Sequence, residues 1–222
     1  GPKHNDFEGE IMGILKLYRG KELSLNPTLG AEEISLSFDE GDIAIDCGAN
    51  VGLATEQFFR AGMHVYAFEP NWYAYNILEE KYKYNSNVIC HQKAVTNTEK
   101  AGIGKLFLHH KANANQIHYS TASSTTADKH NVDEDNFLVV EMIGISDFIK
   151  SLDKPIKLIK IDVEGTEADI LNDLFESKLI YEIPHVLVET HDRKVPSSQG
   201  PLKMIRERIE TENLKNISLD WI

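Results

Sequence analysis

An α/β fold, with a mainly parallel central sheet covered by helices on both faces, is predicted by three features of this chain. From Asp42 onward, short apolar segments alternate with longer helical patterns, the rhythm of strand–helix–strand crossovers. Segments such as Ile43-Ala44-Ile45 and Val186-Leu187-Val188 are apolar at successive positions, as strands buried on both faces must be. Three of the strand candidates deliver carboxylates at their ends, and the first runs into a tight glycine-bearing turn. In an open parallel sheet, ligands bind in the crevice beyond the C-terminal strand ends.

The elements follow in order. The 222 residues fit one domain with a substantial core. Residues 1–38 are mixed in character, with Gly20, Pro27 and Gly30 interrupting any long helix; they read as an N-terminal cover segment with a short strand at Leu23–Leu25. Strands are expected at 43–46, 64–68, 87–90, 157–162 and 185–190, and helices near 52–61, 71–84, 144–151 and 166–177. Residues 105–143 break the rhythm. Lys105–His109 and Ile117–Tyr119 read as strands, whereas the polar stretch Ser120–Asn136 reads as an exposed loop. This insertion could fold over the sheet edge as a substrate-facing lid or be a variable surface loop. Pro201–Asn213 reads as a further helix, and the sheet is expected to lack a final strand.

Charge and composition exclude several classes. A formal net charge of −12 opposes contact with phosphate polyanions, so no nucleic acid partner is expected. No stretch approaches the roughly 18 consecutive apolar residues that would span a bilayer. No signal peptide is visible, and Gly1-Pro2 reads as a remnant of tag removal. Cys47 and Cys90 form no paired motif and read as small buried thiols in a reducing, cytoplasmic setting.

The first turn has the form Asp46-x-Gly48-x-Asn50-x-Gly52. Its glycines reach positive φ cheaply and allow a ligand close to the main chain. A dinucleotide fingerprint would need G-x-G-x-x-G, and Asp46 would sit badly beside a pyrophosphate. Asp46 could instead face the ammonium or sulfonium side of S-adenosylmethionine. Glu69 ends the second strand, 23 positions on, where a carboxylate can accept hydrogen bonds from both ribose hydroxyls. Pro70 then starts a helix, on which Trp72 and Tyr73 could approach adenine or pack in the core. Ala94, in Lys93-Ala94-Val95, lies where a third loop could meet the base through its backbone.

The reaction end is expected around Asp162, Glu164, Glu189 and His191. These could bind a hydroxylated substrate and remove its proton, with His191 suited to general-base work near neutral pH. Glu164 could equally cap the following helix, and His191 could be a surface histidine. The acidic crevice could hold a magnesium ion, but no spacing establishes a metal site. His109, His110, His118 and His130 match no zinc pattern.

Together, Ile45-Asp46-Cys47-Gly48-Ala49-Asn50-Val51-Gly52, Phe68-Glu69-Pro70-Asn71, Ile159-Lys160-Ile161-Asp162-Val163-Glu164-Gly165-Thr166-Glu167 and Val188-Glu189-Thr190-His191 resemble the motifs of the FkbM family of class I S-adenosylmethionine-dependent methyltransferases. The resemblance covers roughly residues 42–192 and implies a Rossmann-like fold. It also implies S-adenosyl-L-methionine as cofactor and O-methylation of a sugar, glycan or related small metabolite. Carried over by residue, it implies that Asp46, Gly48, Asn50 and Gly52 form the cofactor loop and that Glu69 holds ribose. Asp162 and Glu164 would border the transfer site, with Ser123, Ser124 and Thr125 loosely matched to a polar rim. The alternatives are an NAD-dependent oxidoreductase on a similar sheet and a non-catalytic module that binds a cofactor or glycan.

Overall fold

The computed structural model describes the backbone of residues 7–10, 14–18, 22–26, 34–36, 38–109, 132–163, 165–190 and 196–219, with side chains over 38–106, 137–163, 165–190 and 199–219. The first thirty-odd residues contribute β1 (Phe7–Glu10), β2 (Ile14–Tyr18), β3 (Glu22–Asn26) and β4 (Ile34–Leu36). They form an antiparallel meander in that order. The sequence suggested only the piece at 23–25; the other strands are three to five residues long, too short for alternation to stand out.

The α/β core then begins. β5 (Ile43–Cys47) leads to α1 (Leu53–Arg60), β6 (His64–Phe68), α2 (Trp72–Tyr82) and β7 (Val88–His91). β8 (Ala94–Thr96), β9 (Gly102–His109) and β10 (Val132–Gly144) follow, then α3 (Ile145–Leu152) and β11 (Leu158–Ile161). The last elements are α4 (Glu167–Glu176), β12 (His185–Val188), α5 (Pro196–Thr211) and β13 (Ile217–Ser218). The main sheet has six strands in the order β13-β12-β11-β5-β6-β7, every neighbouring pair parallel.

Three expectations change. A last strand does exist: β13 pairs with β12 through Val186↔Ile217 and Leu187↔Ser218, but two residues leave no readable pattern. The segment 105–143 is partly a second sheet, β8-β10-β9, because β10 continues through the polar Asp133–Asn136 and pairs antiparallel with β9. Residues 110–131, including Ile117–Tyr119 and Ser123–Thr125, lie outside the described residues. Finally, α5 starts five residues before Pro201.

Strand alternation splits the core between the two faces of the sheet. Ile43, Ile45, Phe68, Ile159, Ile161, Val186 and Val188 pack against Ile145 and Ile149 of α3, Ile170, Leu171 and Leu174 of α4, and Leu202 and Ile205 of α5. Ala44, Val65, Ala67, Leu158 and Leu187 pack on the other face against Ala54 and Phe58 of α1 and Leu78 and Tyr82 of α2. Each fully buried large aliphatic contributes roughly 1.5–3 kcal/mol, so this double-sided burial holds the strand ends in place. Strand order reverses between β5 and β11: the chain winds to β6 and β7 on one side, and later to β11, β12 and β13 on the other. That switch point is the expected ligand crevice.

Candidate active site

The C-terminal strand ends are tied at one level across the sheet. In each case the first amide past a strand donates to the last carbonyl of its neighbour: Glu189 N–H to Ile161 O (2.9 Å), Asp162 N–H to Cys47 O (3.0 Å), Gly48 N–H to Phe68 O (3.0 Å) and Glu69 N–H to His91 O (3.0 Å). Glu189, Asp162 and Glu69 are therefore brought into one row by backbone pairing, with the β5 turn between them.

The turn has left-handed backbone at Gly48 (φ 81°), Asn50 (φ 52°) and Gly52 (φ 96°), which explains the glycines. The expectation for these glycines is backbone demand together with close approach of a ligand. At Gly48 a Cβ would also overlap the Asp162 carbonyl oxygen. Glycine is needed because the β5 and β11 ends touch. At Gly52 a Cβ would press on the Leu78 side chain at 2.7 Å, so that position lets α2 close over α1.

The turn amides are turned inward, towards β6. Gly48 and Ala49 both donate to Phe68 O, and Gly52 donates to Ala49 O. Asn50 N–H donates to Glu69 Oε1 at 2.8 Å, and Asn71 N–H donates to Glu69 Oε2 at 2.9 Å. Asn71 in turn caps α2, its Oδ1 accepting from Tyr73 N–H. Glu69 is 8% exposed. Burial pushes its carboxyl up to about 7, against the pull of the Asn71 and Asn50 amides and of Lys160. Of the four acceptor positions on a carboxylate, the amides take two. The other two fit a vicinal diol, so these residues suit the ribose of a nucleoside cofactor.

Asp46 ends up elsewhere than expected. It stands at the β5 tip, but its position places it on the inner face beneath α1, with no exposed surface. Thr55 of α1 donates its hydroxyl to Asp46 Oδ2 at 2.7 Å. Lys160 Nζ lies 3.0 Å from Asp46 Oδ1 and also donates to the Gly48 carbonyl at 3.1 Å. In place of a counter-charge facing the crevice, Asp46 is one half of a buried ion pair. Lys160 is a site residue that the motifs alone do not single out. A lysine within an otherwise apolar buried strand was the available signal, because such a charge needs a partner.

Asp162 and Glu189 are half-buried and share the sheet face of Lys160. Their carboxylates, with that of Asp46, outweigh burial and raise the Lys160 pKa. Ala94, expected on an open loop, opens β8 instead: it is buried and pairs with Met142 of β10, so Gln92 and Lys93 form the connection after β7. Trp72 is 44% exposed and is not core. Glu164 and His191 lie outside the described residues, as do His110, His118 and His130. At the start of α4 the cap position belongs to Thr166, and Glu167 accepts from the Gly165 amide at 3.1 Å. Among the described residues no group of three or more His, Cys, Asp or Glu is placed to hold a metal ion, and no helix is long and apolar enough to cross a membrane.

No curated protein and no solved structure matched the chain. A model of the methyltransferase FkbM domain matches residues 46–213. That span starts at the buried aspartate and takes in the glycine turn, Glu69 and the acidic tips of β11 and β12. The protein with this row of strand ends therefore belongs to the FkbM methyltransferase family.

Proposed function

We propose that this methyltransferase uses S-adenosyl-L-methionine to methylate a hydroxyl of a sugar, glycan or related small metabolite. The observation that carries the cofactor reading is Glu69: a carboxylate at the second strand tip, braced by two backbone amides and left with acceptor capacity for a diol. When bound, S-adenosylmethionine supplies an electrophilic methyl group on a sulfonium leaving group. The chain's own part is to hold the ribose at Glu69 and keep the negative charges of Asp162 and Glu189 beside the transfer position. Its base, His191 or Asp162, takes the proton of the acceptor hydroxyl, which is a weak nucleophile while protonated. Glu164 borders the same crevice in this reading, and the row of strand ends supplies the rigid positioning that a displacement reaction exploits. Magnesium is not needed for this assignment.

An NAD-dependent reaction is disfavoured because the turn amides of Gly48, Ala49, Asn50 and Gly52 are already engaged within the chain. A pyrophosphate would need such amides free at a helix N-terminus. The acidic balance likewise favours a small neutral or cationic acceptor over a nucleic acid. The test is incubation with methyl-labelled S-adenosylmethionine and a panel of glycans, nucleotides and metabolites, read by mass analysis, beside calorimetric titration with both cofactors. Label transfer to a hydroxyl of a sugar or metabolite is the expected result. Binding of NAD in place of S-adenosylmethionine would overturn the reading.

A further inference from the structure

The only charged side chain inside the four residues of β11 is Lys160, and the family's chemistry gives it no evident task. It is 4% exposed. Its Cα pairs in register with that of Asp46, so the two side chains leave adjacent strands on the same face. Its ammonium makes two contacts at the β5 tip: the Asp46 carboxylate at 3.0 Å and the Gly48 carbonyl at 3.1 Å. The first lies below the turn and the second within it. One cation therefore spans the two strands that diverge at the switch point, at the place where Gly48 has no room for a side chain.

We propose that Lys160 is a positioning residue for cofactor binding, holding the Gly48–Gly52 turn at the height that lets Asn50 brace Glu69. The inference rests on the cofactor reading above. The chain of contacts is continuous: Lys160 Nζ fixes the Gly48 carbonyl, Gly48 and Ala49 hang from Phe68 O, and the next amide, that of Asn50, reaches Glu69 Oε1. Without the ammonium, the Gly48 carbonyl loses a charged donor and the turn can rise from β11. Glu69 then loses one of its two braces. The same cation lies near the Asp162 and Glu189 carboxylates, whose charges raise its own pKa.

A purely structural ion pair makes a different prediction, and neutralising both partners separates the two. Replacing a buried pair by neutral groups of similar shape is often harmless to stability, whereas removing one partner is not. Wild type, D46N, K160M and D46N/K160M are therefore compared by melting temperature and by calorimetric titration with S-adenosylhomocysteine and S-adenosylmethionine. Expected is a double variant melting no lower than D46N but binding both nucleosides roughly tenfold more weakly than D46N does, the scale of a lost hydrogen bond to a charged group. Equal affinity of D46N and D46N/K160M would overturn the inference while leaving the cofactor reading intact. Absence of nucleoside binding by wild type would overturn both. If the lysine variants do not fold, wild-type protein carrying ¹⁵N-lysine serves instead. Saturation with S-adenosylhomocysteine should shift the slowly exchanging ammonium signal of Lys160, and an unmoved signal overturns the role.

Discussion

Glu69 is held in a position that should cost the fold stability as pH rises. Its pKa moves from an ordinary 4.5 to about 7, chiefly through burial. Between these values the unfolded chain has released the proton and the native protein still holds it, so stability falls with increasing pH. The full span is about 3 kcal/mol, of which about 2.5 kcal/mol lies between pH 5 and pH 8. Glu69→Gln keeps the shape and removes the titration. It should cost about 1–3 kcal/mol at pH 5, because one of the Asn50 and Asn71 amides then faces an NH₂ group. At pH 8 that deficit should shrink by about 2.5 kcal/mol, closing or reversing the gap. Urea denaturation of both proteins at half-unit pH steps measures this directly. Taking the difference removes groups common to both, such as His91 and His185, whose pKa values burial lowers. Parallel stability curves for the two proteins would refute the buried, proton-holding carboxylate.

Other consequences can be checked in the same way. Gly48→Ala combines a Cβ overlapping a backbone carbonyl with a left-handed φ and should cost about 2–5 kcal/mol in urea denaturation; a loss under about 1 kcal/mol would deny the close approach of β5 and β11. Gly52→Ala should cost less, because its obstacle is the mobile end of Leu78. Thr55→Val removes the hydroxyl donor to a buried carboxylate, with an expected loss of about 1.5–3 kcal/mol by chemical denaturation; an unchanged midpoint would mean that water or another group replaces it. His191→Ala should lower turnover on an identified acceptor by about 100-fold or more with unchanged affinity for S-adenosylhomocysteine, and near-wild-type turnover would remove the imidazole from the base role.

The α/β sheet was legible because its strands are buried on both sides: Ile43-Ala44-Ile45 and Val186-Leu187-Val188 leave no polar alternation to confuse with another architecture. Glu69 was legible as a lone acid at an apolar strand's end, just before a helix-starting proline. The state of Asp46 was not. Its partners Thr55 and Lys160 lie 9 and 114 residues away; the packing of α1 brings the first and the register of β5 with β11 the second. Gly48 was legible as a backbone requirement, borne out by its positive φ, but its contact with Asp162 was not, because sequence cannot show that Asp162 arrives from another strand. β13 and the N-terminal meander were obscured by their shortness, and Ala94 by a β8 ladder whose partner, Met142, comes 48 residues later.

Cys47 offers a clock for the motions of this region. It is fully enclosed at the end of β5, and burial followed by the neighbouring Asp46 charge pushes its thiol well above the ordinary range. Alkylating reagents need an accessible thiolate, so this sulfur can react only when the centre of the sheet opens. Cys90 is half-buried, its pKa raised to about 11, and should be modified first. With Cys90 replaced by Ser, the alkylation rate at Cys47 would time the rarest openings of the fold. Any nucleoside that clamps the β5 turn should slow that rate.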